Sequence, residues 1–164
     1  MPLNGSHELV FHLKSADNNS KAGRLAAVDP RNGTKLWECQ ALDSYLHPSP
    51  IAANGVVYAI ASYPGWAVGI RAGGRGDVTA THKMWELKKG SGVCTPIFYE
   101  GHLYWTYEER GIAFCLNAST GAVVYEERLQ PMPGIIYASG VIADGDLLRE
   151  SRERNVRPGG QTEV

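Results

Sequence analysis

The sequence predicts an all-β protein made of repeated four-stranded antiparallel sheets. Three observations support this prediction. A short hairpin pattern occurs three times at nearly equal spacing, a turn-and-aromatic pattern occurs between the hairpins, and no stretch of about 11 or more residues keeps the apolar spacing of an amphipathic helix. The chain has 164 residues, with 19 glycines and 9 prolines, and so many turn-forming residues suit many short strands.

The hairpin pattern spans residues 50–58 and returns at residues 96–104 and 140–148, which are shifts of 46 and 44 residues. Each copy is a short apolar strand, a two-residue turn that ends in glycine, and a second apolar strand. The Asn-Gly and Asp-Gly turns of the first and third copies tolerate positive φ at both central positions of a type I′ turn. The second copy, Glu-Gly, keeps only the glycine. We expect three β-hairpins.

The second pattern spans residues 27–37 and returns at residues 115–125, a shift of 88 residues, or twice 44. A polar residue opens a turn, a glycine closes it, and an aromatic residue follows on the outgoing strand. Asp or Asn at the first place can accept backbone N–H groups within the turn, and glycine can take the left-handed conformation that closes it. A middle copy is therefore expected near residues 70–85, where Trp85 supplies the aromatic ring.

The turn of this middle copy is lengthened by a glycine-rich loop. As a phosphate cradle the loop lacks the Lys-Ser/Thr pair and the following helix that a P-loop needs. As an Arg-Gly-Asp adhesion motif it has only three residues of specificity. The interpretation we favour is a flexible hairpin extension, and the alternative is a partner-binding loop. The loop residues are Gly73, Gly74, Arg75, Gly76 and Asp77.

Each repeat of about 44 residues therefore holds two hairpins, or four strands, and four-stranded units of this length are typical of β-propeller blades. The sequence predicts a partial β-propeller of about three four-stranded antiparallel blades, an open arc, within residues 1–148. A partial strand pair within residues 8–28 is expected to precede the blades. Residues 149–164 carry seven charges in sixteen positions, and we expect them to form a disordered tail.

Composition excludes several other classes of protein. The chain has 16 Lys+Arg against 17 Asp+Glu, so it offers no electrostatic footprint for nucleic acid. The longest stretch without these residues, 44–70, is broken by prolines and glycines and predicts no transmembrane segment. No signal peptide is visible at the start of the sequence, and the compartment stays open. Three scattered cysteines, Cys39, Cys94 and Cys115, are expected to be small buried apolar residues.

Residues 27–37 resemble the tryptophan-docking motif AxDxxTGxxxW of the PQQ-like, quinoprotein-type propeller repeats, with Asn32 in place of Thr. They also resemble the bacterial BamB-like group. In this family the ring of one blade stacks on the glycine turn of the next blade, and its N–H meets a carbonyl. The resemblance therefore implies that these residues dock neighbouring blades: Ala27, Asp29, Gly33, Trp37, Trp85, Asn117, Gly121 and Tyr125.

Family members usually have seven or eight blades, so the chain is expected to be a truncated, internal part of a longer propeller. An open arc would leave two terminal blade faces bare. Because exposed apolar sheet surface favours association, a homo-oligomer that covers these faces is expected.

Three functions stay open. The favoured one is a non-enzymatic interaction or scaffold module of the bacterial cell envelope, with a protein or envelope component as partner. The first alternative is a fragment of a PQQ-dependent quinoprotein dehydrogenase, which would bring PQQ and Ca²⁺. The second is a ligand- or glycan-sensing module. Asp77, Glu86 or Glu108 could be nominated as catalytic only arbitrarily, and residues 108–111 are expected to form an exposed turn. No catalytic, cofactor-binding or metal-binding residue is assigned.

Overall fold

A computed structural model describes residues 7–13, 22–43, 47–61, 65–131, 133–143 and 146–148. The tail predicted at residues 149–164 lies outside this part of the chain. In chain order the elements are β1 (Leu9–Leu13), β2 (Ala22–Val28), β3 (Lys35–Asp43), β4 (Ile51–Ala53), β5 (Val56–Ala61), β6 (Trp66–Arg71), β7 (Gly76–Asp77), α1 (Thr79–His82), β8 (Lys83–Leu87), β9 (Ile97–Tyr99), β10 (His102–Tyr107), β11 (Ile112–Asn117), β12 (Val123–Arg128), β13 (Val141–Ala143) and β14 (Asp146–Leu148).

The described strands form three four-stranded sheets and one two-stranded sheet. The sheet orders are β1-β2-β3-β7, β4-β5-β6-β8, β9-β10-β11-β12 and β13-β14. All neighbours are antiparallel except β3 and β7, which are parallel. The all-β prediction is confirmed. One detail is corrected: the strand pair expected to precede the blades is part of the first sheet, whose outer strand comes from the glycine-rich loop.

The three predicted hairpins are present as β4-β5, β9-β10 and β13-β14. In the first hairpin Asn54 has φ 51° and Gly55 has φ 77°; in the second Glu100 has φ 46° and Gly101 has φ 78°. Both central residues are therefore in the left-handed region that a type I′ turn requires. Glu100 adopts this left-handed conformation although Glu-Gly is the copy whose sequence favours a type I′ turn least. The turn of the third hairpin lies outside the described residues.

The sheets stack face to face, because strand residues alternate between two buried faces. Along β5, Val57, Ala59 and Ala61 pack with the first sheet, whereas Tyr58 and Ile60 pack with the third. This explains why β5 is apolar at every position instead of at every second one. We call the contact of the first and second sheets the first seam; its core includes Leu25, Ala27, Trp37, Cys39, Val57, Ala59, Val68 and Ile70. The second seam joins the second and third sheets; its core includes Tyr58, Ile60, Ala67, Leu103, Trp105, Phe114 and Leu116.

The only helical element in the described part of the chain is α1, a single turn between β7 and β8. It ends at His82, a position where the sequence pattern suggests a strand. None of the described helices is long and apolar enough to cross a membrane.

Candidate functional site

Trp85 bridges the second seam. Its indole Nε1 donates a hydrogen bond to the carbonyl oxygen of Ala118 at 2.9 Å, in the third sheet. A Cβ atom added to Gly121 would lie 2.7 Å from the indole ring, so the ring rests directly on this glycine. A Cβ atom at Gly69, the residue paired with Trp85 on the neighbouring strand, would lie 2.6 Å from the ring. The ring of Trp85 therefore packs closely on two glycines, of which the sequence pattern indicated only Gly121.

The turn under Trp85 is closed by its own backbone and by Asn117. The N–H of Gly121 donates to the carbonyl of Asn117 at 2.9 Å, and the Asn117 side chain accepts N–H bonds from Ser119 and Thr120, both at 3.1 Å. Gly121 has φ 73°, a value that favours glycine. Two separate demands, the left-handed backbone and the contact with the ring, thus select glycine here.

An aromatic row runs across the same seam. The ring of Tyr58 stacks on Trp85 with centroids 6.1 Å apart and on Phe98 of the third sheet with centroids 6.0 Å apart. Rings at these distances attract each other beyond the effect of burial alone. The second seam is therefore joined by stacked rings as well as by the indole hydrogen bond.

Trp37 occupies the equivalent place in the first seam and is fully buried. Its Nε1 donates to a carboxylate oxygen of Glu8 at 2.9 Å, and the same oxygen accepts the backbone N–H of Gly73 at 3.3 Å. A side-chain carboxylate thus takes the role that a turn carbonyl has in the second seam. Glu8 precedes the first strand and matches no repeat pattern, so no sequence pattern indicates that it is the acceptor.

The glycine-rich loop is built into the first sheet. Gly76 and Asp77 pair with β3, Asp77 accepts the N–H of Thr79 at 2.9 Å, and Gly74 packs closely on His82. The sequence suggests a flexible hairpin extension, and the structure corrects this: the loop returns to a neighbouring sheet. Arg75 is exposed. A partner-binding role for this loop stays a prediction.

The turn at residues 29–33 has the same backbone as its counterpart, with Gly33 N–H donating to the Asp29 carbonyl at 2.8 Å and Gly33 at φ 73°. No described ring covers it, because a Cβ atom at Gly33 would meet nothing within 4 Å. The Arg31 guanidinium donates to both carboxylate oxygens of Asp29, at 2.9 and 2.6 Å. These hydrogen bonds lower the pKa of Asp29 to about 2.

Tyr125 lies where the third sheet meets the β13-β14 hairpin. Tyr125 and Ile142 both pack against the buried pair Tyr104 and Cys115. The hydroxyl of Tyr125 is buried with no hydrogen-bond partner in the described part of the chain. Burial, followed by the nearby Cys115, raises the pKa of Tyr125 to about 12. Ala27 is fully buried in the first seam. Together with the positions described above, this means that the eight predicted docking residues are distributed over seams and turns and do not meet at one site.

Residues 108–111 were expected to form an exposed turn, but the first of them is buried. Glu108 is buried; it accepts the Ser91 hydroxyl at 2.7 Å and the Gly92 N–H at 2.7 Å. The Ser91 hydroxyl oxygen in turn accepts the N–H of Cys94 at 3.1 Å. Burial raises the pKa of the Cys94 thiol. Glu108 therefore ties the loop after β8 to the β10-β11 turn, a role that a row of charged residues in the sequence does not reveal.

The described residues hold no group of three His, Cys, Asp or Glu side chains that could bind a metal ion. Calcium in a quinoprotein site would require several converging oxygens. Each of the three carboxylates open to nomination already has a partner in the structure: Glu108 accepts hydrogen bonds from Ser91 and Gly92, Asp77 from Thr79, and Glu86 forms an ion pair with Lys83. No reaction step is assigned through a calcium and quinone site.

Four-stranded sheets that follow one another along the chain and stack face to face are the arrangement of successive β-propeller blades. BamB from Moraxella catarrhalis has the same fold: it aligns with 90% of this chain at a TM-score of 0.64 and 16% identity, and the aligned part is 47% of that protein. This chain therefore spans about half the length of BamB. A europium-containing methanol dehydrogenase matches 60% of this chain and 19% of its own, at a TM-score of 0.47 and 14% identity.

No protein-family model and no curated protein matches the chain. The structural likeness nevertheless confirms the resemblance at the level of the fold, which is that of the PQQ-like propellers.

Proposed function

We propose that this chain is a non-enzymatic interaction module of the bacterial cell envelope, which binds a protein partner through an exposed sheet face. The observation that carries the proposal is an apolar stripe on β1. Leu9, Phe11 and Leu13 are 48%, 47% and 42% exposed. Contiguous apolar surface of this kind marks interaction sites in soluble proteins.

The stripe occupies one face of the first sheet, because these three residues alternate along the strand. Val10 points the other way and packs on the first seam. Beside the stripe, the Arg24 guanidinium and the Glu38 carboxylate form an ion pair at 3.2 Å. Apolar surface bordered by polar groups is the usual composition of a protein interface. The envelope location follows from the BamB-like resemblance and is part of the proposal.

Partner capture tests this function. The purified chain is immobilised and exposed to the envelope fraction of its source organism, and captured proteins are identified, purified and used for capture in the reverse direction. We expect one partner that binds in both directions and is lost with the double variant Leu9→Ser/Phe11→Ser. The matched control is Val124→Ser, which changes a residue that is 53% exposed on β12. Failure of the wild-type chain to capture a partner, or equal capture by the double variant, would contradict the proposal.

A second copy of the chain is one partner that the stripe suits. Light scattering at tens of micromolar should show self-association of the 164-residue chain, and the Leu9→Ser/Phe11→Ser variant should reduce it. A wild-type monomer under these conditions would remove self-association from the proposal.

The quinoprotein alternative has a direct test. PQQ and Ca²⁺ are added to the purified chain, and cofactor absorbance and dye reduction are followed. We expect neither to rise above the signal of the free cofactor. Protein-dependent dye reduction would replace the proposed function with an enzymatic one.

A further inference from the structure

A groove of about 290 Å³ opens between the second and third sheets, at the ends of β8 and β10. Its walls come from Gly65 just before β6, the segment 88–90 after β8, the end of β10 with the β10-β11 turn, and side chains of β11 and β12. This volume is at the lower end of the range for ligand sites in proteins. The groove is open along one side, so it suits an extended segment that is only partly enclosed.

The groove is held in shape before any ligand binds. Gly65 and Gly90 meet backbone to backbone: a Cβ atom at Gly90 would lie 2.1 Å from the Ala61 carbonyl oxygen, and one at Gly65 would lie 2.8 Å from the nitrogen of Gly90. From the other side, Glu108 accepts hydrogen bonds from Ser91 and Gly92. The segment that forms the wall is thus fixed to both sheets, which lowers the ordering cost of binding.

The lining carries an excess of positive charge. Lys88, Lys89 and Arg110 line the groove with one carboxylate, Glu126. Glu126 forms an ion pair with Lys89, so Lys88 and Arg110 supply the surplus, whereas the whole chain has a formal net charge of −1. Like charges gathered at a cleft attract ligands of the opposite sign.

Two of the cations lie beside aromatic rings. The Lys89 ammonium is 5.6 Å from the centroid of the Phe114 ring, and the Arg110 guanidinium is 5.8 Å from that of Tyr107. At these distances the ring attracts the cation and helps to hold it in place. The groove therefore holds cationic groups beside aromatic rings, of which Phe114 belongs to the buried core and Tyr107 is partly exposed.

We propose that this groove binds an acidic peptide segment of a protein partner. Carboxylates of the segment would pair with Lys88 and Arg110, and an apolar or aromatic neighbour would lie against the partly buried ring of Tyr107. The inference rests on the proposed function, because it names the chemistry of a protein partner. A short peptide supplies several carboxylates in a row together with a ring, and it needs no closed cavity.

Fluorescence anisotropy with labelled peptides of defined sequence tests the groove. The probes are Glu-Glu-Trp-Glu-Glu, its neutral counterpart Gln-Gln-Trp-Gln-Gln, and the acidic peptide with alanine in place of tryptophan. We expect the first probe to bind at least about tenfold more tightly than either of the others, and to weaken from about 50 mM to about 300 mM salt.

The variants Lys88→Glu and Arg110→Glu should each weaken binding of the acidic probe about tenfold or more. The matched control is Arg71→Glu, which makes the same charge change at an exposed position at the far end of β6. Thermal unfolding of each variant confirms that it is folded. Equal binding of the neutral peptide, or wild-type affinity in folded Arg110→Glu and Lys88→Glu, would overturn the proposal. So would binding to vesicles of anionic phospholipid without binding to the acidic peptide.

The same variants separate this inference from the proposed function. If the stripe variant Leu9→Ser/Phe11→Ser loses the partner while Lys88→Glu and Arg110→Glu keep it, the groove proposal fails and the proposed function stands. If the groove variants lose the partner as well, the groove contributes to the same interaction.

Discussion

Trp37 and Trp85 occupy equivalent places in two successive seams, yet their indole N–H groups are satisfied in different ways. Trp85 donates to a backbone carbonyl, that of Ala118. Trp37 donates to a side chain that lies 29 residues away, Glu8. The repeat thus determines where the ring lies, but the surrounding chain determines which acceptor it meets.

The length of the next turn explains the difference. Ala72 and Ala118 are equivalent, since each donates its N–H at 2.9 Å to the glycine of its own hairpin turn, Gly55 and Gly101. After Ala118 the chain closes a tight turn at Gly121. After Ala72 it leaves the second sheet to form β7, so no closed turn lies under Trp37. Glu8 then joins the indole to the backbone of the lengthened loop.

Removal of either indole ring should have the largest effect on stability. Trp37→Ala should lower the free energy of unfolding by about 3–5 kcal/mol, because it empties a fully buried site. Trp85→Ala should cost about 3 kcal/mol, since its ring is only partly buried. Urea unfolding followed by circular dichroism measures both. A cost below about 1 kcal/mol for Trp37→Ala would remove Trp37 from a docking role.

Substitutions in the two glycine turns distinguish the cost of backbone strain from the cost of losing the contact with the indole ring. Gly33 and Gly121 share φ 73°, but only Gly121 lies under an indole. Gly33→Ala should therefore cost about 1–2 kcal/mol for the left-handed backbone. Gly121→Ala should cost about 2–4 kcal/mol, because the added Cβ atom also displaces Trp85. Equal costs in urea unfolding would mean that the contact with the ring contributes nothing.

The fold could be predicted from the sequence because the repeat depends on residues that are close together along the chain. Positive-φ turns at residues 54–55 and 100–101, and glycines that close turns, need only neighbouring residues to be recognised. The acceptor for Trp37 and the burial of Glu108 depend on chain segments far apart, which no spacing encodes. The groove beside Glu108 was missed for the same reason, since its cations come from two different sheets.

Glu8 itself is the next target. Glu8→Ala leaves the indole N–H of Trp37 and the N–H of Gly73 without their acceptor, and should cost about 1–3 kcal/mol. Glu8→Gln keeps an acceptor oxygen and is the control, with an expected cost below about 1 kcal/mol. Urea unfolding of both variants gives the comparison. Indistinguishable costs would show that the hydrogen bonds do not stabilise the first seam.

The smallest expected effect is a difference between the two turns in how their stability depends on pH. The bonds from Arg31 hold the pKa of Asp29 at about 2, below its ordinary value of 3.8, whereas Asn117 in the matching turn does not titrate. A lowered carboxyl pKa stabilises the folded state at pH values above the ordinary pKa, and this contribution is lost as pH falls from about 4 to about 2.

Carboxyl-carbon NMR should show Asp29 titrating near pH 2, and Arg31→Ala should raise its midpoint toward 3.8. Asp29→Asn should make the first turn as insensitive to acid as the second, because the backbone bonds that close both turns are the same. A midpoint that stays low in Arg31→Ala would assign the shift to the turn backbone instead.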